Sequence, residues 1–281
     1  MKNKTGLKRN IIDKFYTKPE VVLKCLKEFK KLKIDNSVDL VIEPSAGNGS
    51  FTSQLVEYNS MSYDIKPEGE GIIEQDFLKL NLTDGFNIPL HFIGNPPFGR
   101  QSSIAKKFIK HICKCDKTKS FGFILPKSFK KESMQRCIPL DFHLLSEMDI
   151  KNDGFLVNGK DHDVPCVFQV WERREDNRYV SPKLDPEGYK FVKDKMKATF
   201  ALRRVGVYAG KMIDMLQDGI DFDKLSDQSH YYIVFNKSMT YKQRDDFRKK
   251  YYDTIKWNHD NTVGPKSIGK QEFIKELNKL F

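Results

Sequence analysis

Long apolar runs are missing from this sequence. Residues 38–42 make a typical apolar stretch, and Asp39 already breaks it; a membrane-spanning helix needs roughly 20 apolar residues in a row. The opening residues, MKNKTGLKRN, lack the apolar centre of a secretory signal. A soluble, intracellular protein with no membrane partner is therefore expected, of cellular or viral (phage) source. Cysteine is also scarce: Cys25, Cys113, Cys115, Cys137 and Cys166 form an odd set without a CxxC pair, which suits a reducing compartment better than a disulfide framework. His111, Cys113 and Cys115 come nearest to a metal pattern. They fall in a helical stretch where positions i and i+2 point to different faces, and no fourth ligand is spaced as in a zinc site, so no metal is expected. No internal repeat or low-complexity tract is apparent.

What is present is a globular composition of 281 residues, 39% hydrophobic and 31% charged, with 21 Phe and 11 Tyr. That is enough apolar material for one large domain and a smaller one. The net charge is +11, and it is unevenly spread. Residues 1–33 carry 11 Lys/Arg against 3 Asp/Glu, residues 34–172 carry 15 against 19, and residues 173–281 carry 23 against 16. An acidic middle between basic ends is an arrangement suited to holding a polyanion.

Apolar residues at helical spacing after a Thr17-Lys-Pro-Glu20 capping-box pattern predict a helix over 18–33. Strands are expected near 38–43, 60–65, 71–75, 90–94, 120–125, 142–150 and 164–171, with helices near 50–58, 101–114 and 128–137. Alternation of this kind predicts an α/β fold with a mostly parallel sheet. The last two strands lack a helix between them and should pair antiparallel. A boundary is expected near 175. Beyond it the pattern reads as a helical piece near 186–198, a Gly-punctuated basic stretch over 201–211, a strand over 230–235 and two terminal helices.

Two motifs fall at strand ends, where an open parallel sheet binds its ligands. Residues 43–51, EPSAGNGSF, follow the first sheet strand. A dinucleotide fingerprint would need a third glycine where Thr52 stands, which disfavours NAD. Gly47 and Gly49 allow a tight turn against a ligand without pyrophosphate, and Asp64 closes the next strand, where a carboxylate can accept both ribose hydroxyls. The alternative is an ordinary strand-to-helix turn. The second motif is Asn95-Pro-Pro-Phe98. Its prolines fix the backbone, so the Asn95 side-chain oxygen and the Pro96 carbonyl would converge on one donor, with Phe98 as a face for a planar ring. The alternative is a proline-rich turn with a buried Phe.

EPSAGNGSF, Asp64, Gln75-Asp-Phe-Leu78 and NPPF, in that order, resemble the class I S-adenosylmethionine-dependent methyltransferases of the adenine-N6 type. Phe15-Tyr-Thr-Lys-Pro-Glu20 resembles the extra cofactor motif of the permuted DNA adenine methyltransferases, whose target-recognition domain lies C-terminal. The resemblance covers about residues 13–172. It implies a Rossmann-like fold with a seven-stranded sheet whose last strand is antiparallel, a cofactor-binding catalytic domain over 1–174, and a small basic α+β recognition domain over 175–281. It implies S-adenosylmethionine as cofactor. Tyr16 and Thr17 would close its pocket, while Glu43, Pro44, Ala46, Gly47 and Gly49 would lie against its methionine and adenosine portions. Asp64 and Ile65 would stand at the ribose, Asp76 at the adenine amino group and Phe77 on the adenine face. Asn95, Pro96, Pro97 and Phe98 would hold the target base. Glu43 stands where Asp is commoner, and Phe98 where many members have Tyr. NPPF also occurs in enzymes acting on guanine-N2 of ribosomal RNA, and NPPY in protein glutamine methyltransferases.

The expected reaction is direct methyl transfer to adenine N6 in DNA. The alternatives are an RNA methyltransferase (adenine-N6 or guanine-N2) and an inactive nucleic-acid-binding relative. By the same resemblance, Phe155 falls where related enzymes place a ring that stacks on an extruded base; the alternative, commoner for a loop Phe, is a packing residue. Lys127, at the site edge, could touch phosphate, though a solvated lysine at a helix start is the commoner reading; Arg203, Arg204, Arg244 and Arg248 in the basic tail are candidate phosphate contacts. Phe247, Tyr251 and Ile255 repeat at i, i+4, i+8 and should form the buried face of their helix, leaving its basic face outward.

Overall fold

The computed structural model describes residues 15–150, 154–157, 159–257 and 266–281. They divide into two compact units at Val180/Ser181. Residues up to 180 stay with the first unit because of Arg178. Its guanidinium donates to the carbonyls of Pro139, Phe142 (2.8 Å) and Ile138 (2.9 Å) and lies over the Trp171 ring.

In the first unit, strand β1 (Tyr16–Thr17) leads into helix α1 (Pro19–Phe29). Proline is tolerated at a helix start because its missing N–H has no partner there anyway, and Val22, Cys25, Leu26 and Phe29 give the helix one buried stripe. Thr17 does not cap it: the residue is paired into β1, and its hydroxyl accepts a hydrogen bond from elsewhere, as described below. Lys18 occupies the cap position without a side-chain capping bond, and its ammonium pairs instead with Asp161 at 2.8 Å.

Next come β2 (Leu40–Glu43), β3 (Ser60–Asp64), β4 (Ile72–Glu74), helix α2 (Leu82–Gly85), β5 (Leu90–Gly94) and α3 (Ser103–Cys113). They are followed by β6 (Thr118–Pro126), α4 (Glu132–Gln135), β7 (Phe142–Ile150), β8 (Phe155–Val157), β9 (Lys160–His162) and β10 (Cys166–Arg173). Seven strands form one sheet in the order β4-β3-β2-β5-β6-β10-β7, and β1, β8 and β9 form a small one. Within the large sheet β2 to β6 pair parallel, and β10 runs antiparallel to both β6 and β7. This is the Rossmann-like methyltransferase fold.

Side chains alternate between the two faces of a strand, and here both faces are apolar. Leu40, Ile42, Phe92, Phe121 and Phe123 pack with Phe108, Ile109 and Ile112 of α3. Val41, Ile93 and Ile124 pack on the other face with Val22, Leu26 and Phe29 of α1. Gly122 makes room there, since a Cβ on it would stand 2.8 Å from both Phe29 and Phe168. The chain passes from β2 to β3 on one side and returns to β5 on the other, so the sheet's switch point lies beyond Glu43 and Gly94, where open α/β sheets bind ligands.

Two expected helices are shorter than the sequence pattern suggested. Only a 3-10 turn, Thr52–Gln54, forms in the stretch expected as a helix over 50–58. Its Asn, Ser and Thr side chains compete for backbone groups: Asn48 Oδ1 accepts from the Ser50 hydroxyl at 2.7 Å. Over 128–137 a 3-10 turn (Lys127–Lys130) is followed by the four residues of α4.

The second unit holds an antiparallel sheet of β11 (Tyr189–Val192), β12 (Phe200–Arg203), β13 (Met212–Asp214) and β14 (His230–Phe235) in the order β11-β14-β12-β13, with helices α5 (Tyr241–Thr254) and α6 (Lys270–Leu277). A strand therefore replaces the helix expected near 186–198. Thr240 caps α5 through a reciprocal bond with Gln243. Tyr251 and Ile255 are buried and Phe247 packs against them in one core with Phe200, Ile233 and Phe273, as the spacing indicated.

Candidate active site

At the carboxyl ends of β2, β3 and β5 lies a cavity of about 410 Å³. Its floor is the glycine turn. Gly47 and Gly49 adopt left-handed φ values of 54° and 82°, which residues with a Cβ rarely take, and Gly49 N–H closes the turn on the Ala46 carbonyl at 2.8 Å. Asp64 holds this turn from β3. One carboxylate oxygen accepts from Gly47 N–H (2.8 Å) and the other from Lys66 N–H (2.7 Å). A carboxylate has about four lone-pair sites, so acceptor capacity remains. Beside Asp64, the Ile65 side chain is 70% exposed and lines the cavity, as do Pro44 and Ala46.

Glu43 is 2% exposed beneath the turn. Burial pushes its carboxyl up to about 8, opposed in part by hydrogen bonding to Thr52. Thr52 Oγ1 bonds both to Glu43 Oε2 and to Ser62 Oγ, the latter at 2.8 Å. Thr52 entered the sequence reading only as a missing glycine; its role as a partner for a buried acid had no signal in the motif. Tyr16 sits over the turn, with its Cε1 3.7 Å from where a Gly47 Cβ would stand. Its hydroxyl donates to the Glu68 carboxylate, and Glu68 N–H bonds the Gly47 carbonyl at 2.9 Å.

Asn95 closes the other end. Its Nδ2 donates to the Phe15 carbonyl and to Thr17 Oγ1, each at 3.3 Å. The amide nitrogen is thereby committed to β1, and Oδ1 is left as an acceptor with no protein partner among the described residues. Pro96, Pro97 and Phe98 also line the cavity. The Phe98 carbonyl accepts from Ile104 N–H at 3.0 Å and so ties the motif to α3. Just beyond, Gln101 and Ser102 both take left-handed φ values, 53° and 60°. Such strain is concentrated at binding sites, and no composition signal announced it.

Asp76 and Phe77 reach the cavity with part of their surface already engaged, and Phe155 and Lys127 lie outside it. Asp76 lines the cavity, but one of its oxygens already accepts from Leu78 N–H at 3.1 Å. Phe77 touches the cavity yet is 2% exposed, stacked on Phe108 with an interplanar angle of 5°. Ile65 offers the larger free apolar surface. Phe155 is 1% exposed and does not line the cavity; it pairs with Thr17 and meets Phe15 edge-on, which is the packing alternative and not the stacking one. Lys127 is also outside the lining, 3.9 Å from Asp149.

In the second unit, Arg244 is 8% exposed, and its Nε lies 2.9 Å from Asp214 Oδ2. It is an internal ion pair and not the expected phosphate contact. Arg248 lies 3.5 Å from Asp245, which also pairs with Lys249, so the basic face of α5 is partly neutralised. Arg203 bonds its own hairpin through the Val205 carbonyl, and Arg204 lies over the Tyr231 ring at 4.8 Å.

The sequence matches no protein-family model and no curated protein. Among solved structures it is similar to the 23S rRNA methyltransferase ErmE, at 13% identity and TM-score 0.43 over 60% of this chain and 73% of that one. It is similar also to TrmN from Thermus thermophilus (13%, TM-score 0.37, 56% and 49%) and to the N-methyltransferase NodS from Bradyrhizobium japonicum (11%, TM-score 0.40, 56% and 96%). These likenesses are partial, and the fold is read from the strand order and pairing of this chain. Among the described residues no helix is long and apolar enough to cross a membrane.

Proposed function

We propose that this protein is an S-adenosylmethionine-dependent methyltransferase that methylates the exocyclic N6 of adenine in nucleic acid, with DNA as the preferred polymer. The observation that carries the reading is the fixed amide of Asn95. With Nδ2 held by Phe15 and Thr17, Oδ1 is kept as an acceptor, and together with the Pro96 carbonyl it would supply the pair that an amino group with two N–H donors needs.

The residues present fit the cofactor. Gly47 leaves the cavity face of the turn bare, Gly49 shapes the turn from outside the lining, Asp64 retains lone pairs for a vicinal diol, and Ile65 offers an apolar face. When bound, S-adenosylmethionine supplies a methyl group on a positively charged sulfur. The chain's own residues do the rest. An adenine amino nitrogen is a poor nucleophile because its lone pair is delocalised into the ring. Accepting both its N–H groups at Asn95 and Pro96 favours a more tetrahedral nitrogen and stabilises the positive charge that grows on it. Phe98 and the rigid prolines hold the ring, and alignment itself supplies much of the acceleration. A base inside a duplex cannot reach such a pocket and must be flipped out.

The test is nucleoside mass spectrometry after incubating the protein and methyl-labelled cofactor with DNA and RNA pools side by side. Label in N6-methyladenine of DNA is expected. Asn95→Ala should remove at least 100-fold of the activity, about 2.7 kcal/mol, while calorimetry shows cofactor affinity within 3-fold of the parent. Label in N2-methylguanine would replace the adenine reading; label in RNA alone would replace DNA.

A further inference from the structure

The second unit carries a cleft that the methyl-transfer reading does not use. Tyr208, Ala209, Gly210, Lys211, Tyr252 and Trp257 line an open cleft of about 430 Å³. Its walls come from the loop between β12 and β13 and from the end of α5.

Two of its three rings are held in place. The Tyr252 hydroxyl accepts from Met212 N–H at 2.9 Å. Trp257 Nε1 donates to the Tyr251 hydroxyl at 2.9 Å, and that hydroxyl bonds the Gly210 carbonyl at 2.6 Å. Trp257 packs so closely that a Cβ on Gly210 would stand 2.3 Å from its ring; glycine is needed there both for this approach and for its φ of 96°.

The third ring is presented outward. Gly206, at φ 90°, starts a turn closed by Ala209 N–H on the Gly206 carbonyl and by Gly210 N–H on the Arg203 carbonyl. Tyr208 at its tip is 66% exposed, and Val207 beside it is 82% exposed. A loop this well bonded gains nothing for its own fold by holding a tyrosine in water.

The surrounding charge is positive. Lys211 lines the cleft, Lys256 Nζ donates to the Tyr252 carbonyl, and Arg203 lies in the same hairpin. None of the three has a carboxylate partner among the described residues. Fixed aromatic faces with cations at their rim are suited to a planar base on an anionic backbone, since stacking accepts any base and the cations take the phosphate.

We infer that Tyr208, Tyr252 and Trp257 form a stacking site for an unpaired nucleobase of a single-stranded or opened nucleic acid. This rests on the nucleic-acid reading above and deepens it: the second unit would grip a base face and not only phosphates. Tyr252 and Trp257 need no rearrangement, so little ordering cost is paid on binding.

Trp257 provides the readout. The chain has two tryptophans, and the other, Trp171, is 1% exposed in the first unit. The full chain is titrated at low salt with a mixed-sequence single-stranded DNA oligonucleotide and with an abasic oligomer of the same length and charge. Saturable quenching by the first and none by the second is expected. Tyr208→Ala should weaken binding of the base-containing oligomer roughly 5- to 100-fold, with the abasic oligomer unaffected and Tyr208→Phe restoring affinity.

Equal binding of both oligomers with Trp257 emission unmoved overturns the stacking site and leaves nucleic-acid binding intact. Binding of neither oligomer removes both, and the labelled-cofactor assay then decides separately whether methyl transfer survives on another substrate. Quenching that grows with protein concentration alone assigns the cleft to a second copy of this chain and overturns the proposal.

Discussion

Glu43 should make the first unit less stable as the solution becomes more alkaline. Its carboxyl is nearly sealed from water, and burial raises it from an ordinary value of 4.5 to about 8. The folded chain therefore holds a proton that the unfolded chain has already lost between these pH values. Stability changes with pH as the protons bound by the unfolded state minus those bound by the folded state. That difference is negative in this window, so the stabilisation is complete below about pH 4.5 and is lost progressively as pH rises to about 8. A shift of this size corresponds to roughly 4–5 kcal/mol at 1.36 kcal/mol per pH unit. Glu43→Gln keeps the shape and can still bond Thr52, but it cannot ionise. The assay is urea unfolding followed by Trp171 fluorescence in a Trp257→Phe background, at half-unit steps from pH 5 to 8.5. Other groups titrate in both proteins and cancel in the comparison. The stability of Glu43→Gln relative to its parent should rise by several kcal/mol across the range. A difference that stays flat within 1 kcal/mol would refute the reasoning, because a sealed carboxyl cannot be neutral and yet have no linkage to folding.

Two further outcomes follow from packing. Arg244→Met should destabilise the second unit by about 3–5 kcal/mol by leaving Asp214 buried without its cation, read as a shift in the Trp257 unfolding transition, and Arg244→Met with Asp214→Leu should recover part of the loss. A destabilisation below 1 kcal/mol in the single variant would return Arg244 to the list of phosphate contacts. Gly122→Ala should cost the first unit about 1–3 kcal/mol through collision with Phe29 and Phe168, and trimming Phe29 to Leu in the same chain should relieve it. Additive losses in the pair would mean that the two side chains do not meet.

The sheet was legible where periodicity and chain punctuation agree. Leu90–Gly94 and Phe142–Ile150 coincide with their expected bounds, since buried parallel and antiparallel strands announce themselves by apolar runs and alternation. Helix α1 was visible in its apolar stripe, though its cap was not. Thr17 reads as an N-cap to anyone looking three residues ahead, but the hydroxyl serves Asn95, some 78 positions away, and no local pattern encodes that choice. The tail strand over Tyr189–Val192 was hidden in the same way. Lys and Glu around it favour helix locally, whereas pairing with His230–Phe235 decides the outcome. The motif residues of the cavity were found because strand ends and glycine turns leave a sequence signature. Of the two aromatic candidates, Phe77 lines the cavity while Phe155 packs in the core, and the sequence could not separate them because an aromatic ring carries no mark of whether it faces a ligand or a core.

The pairing of Tyr16 with Leu156 has a consequence for how the site comes into being. The strand that fixes the Asn95 amide is among the first parts of the described chain to be synthesised, yet its own partner emerges only after the strands β2 to β7. At about 5–20 residues per second during synthesis, roughly 7–28 seconds separate the two. Until β8 arrives, the glycine turn can already be formed while the acceptor amide has nothing to hold its orientation. The candidate site is thus completed after the strands that carry its glycine turn but before β10 fills its place between β6 and β7, and the proposed methyl transfer would require a chain made at least as far as residue 157.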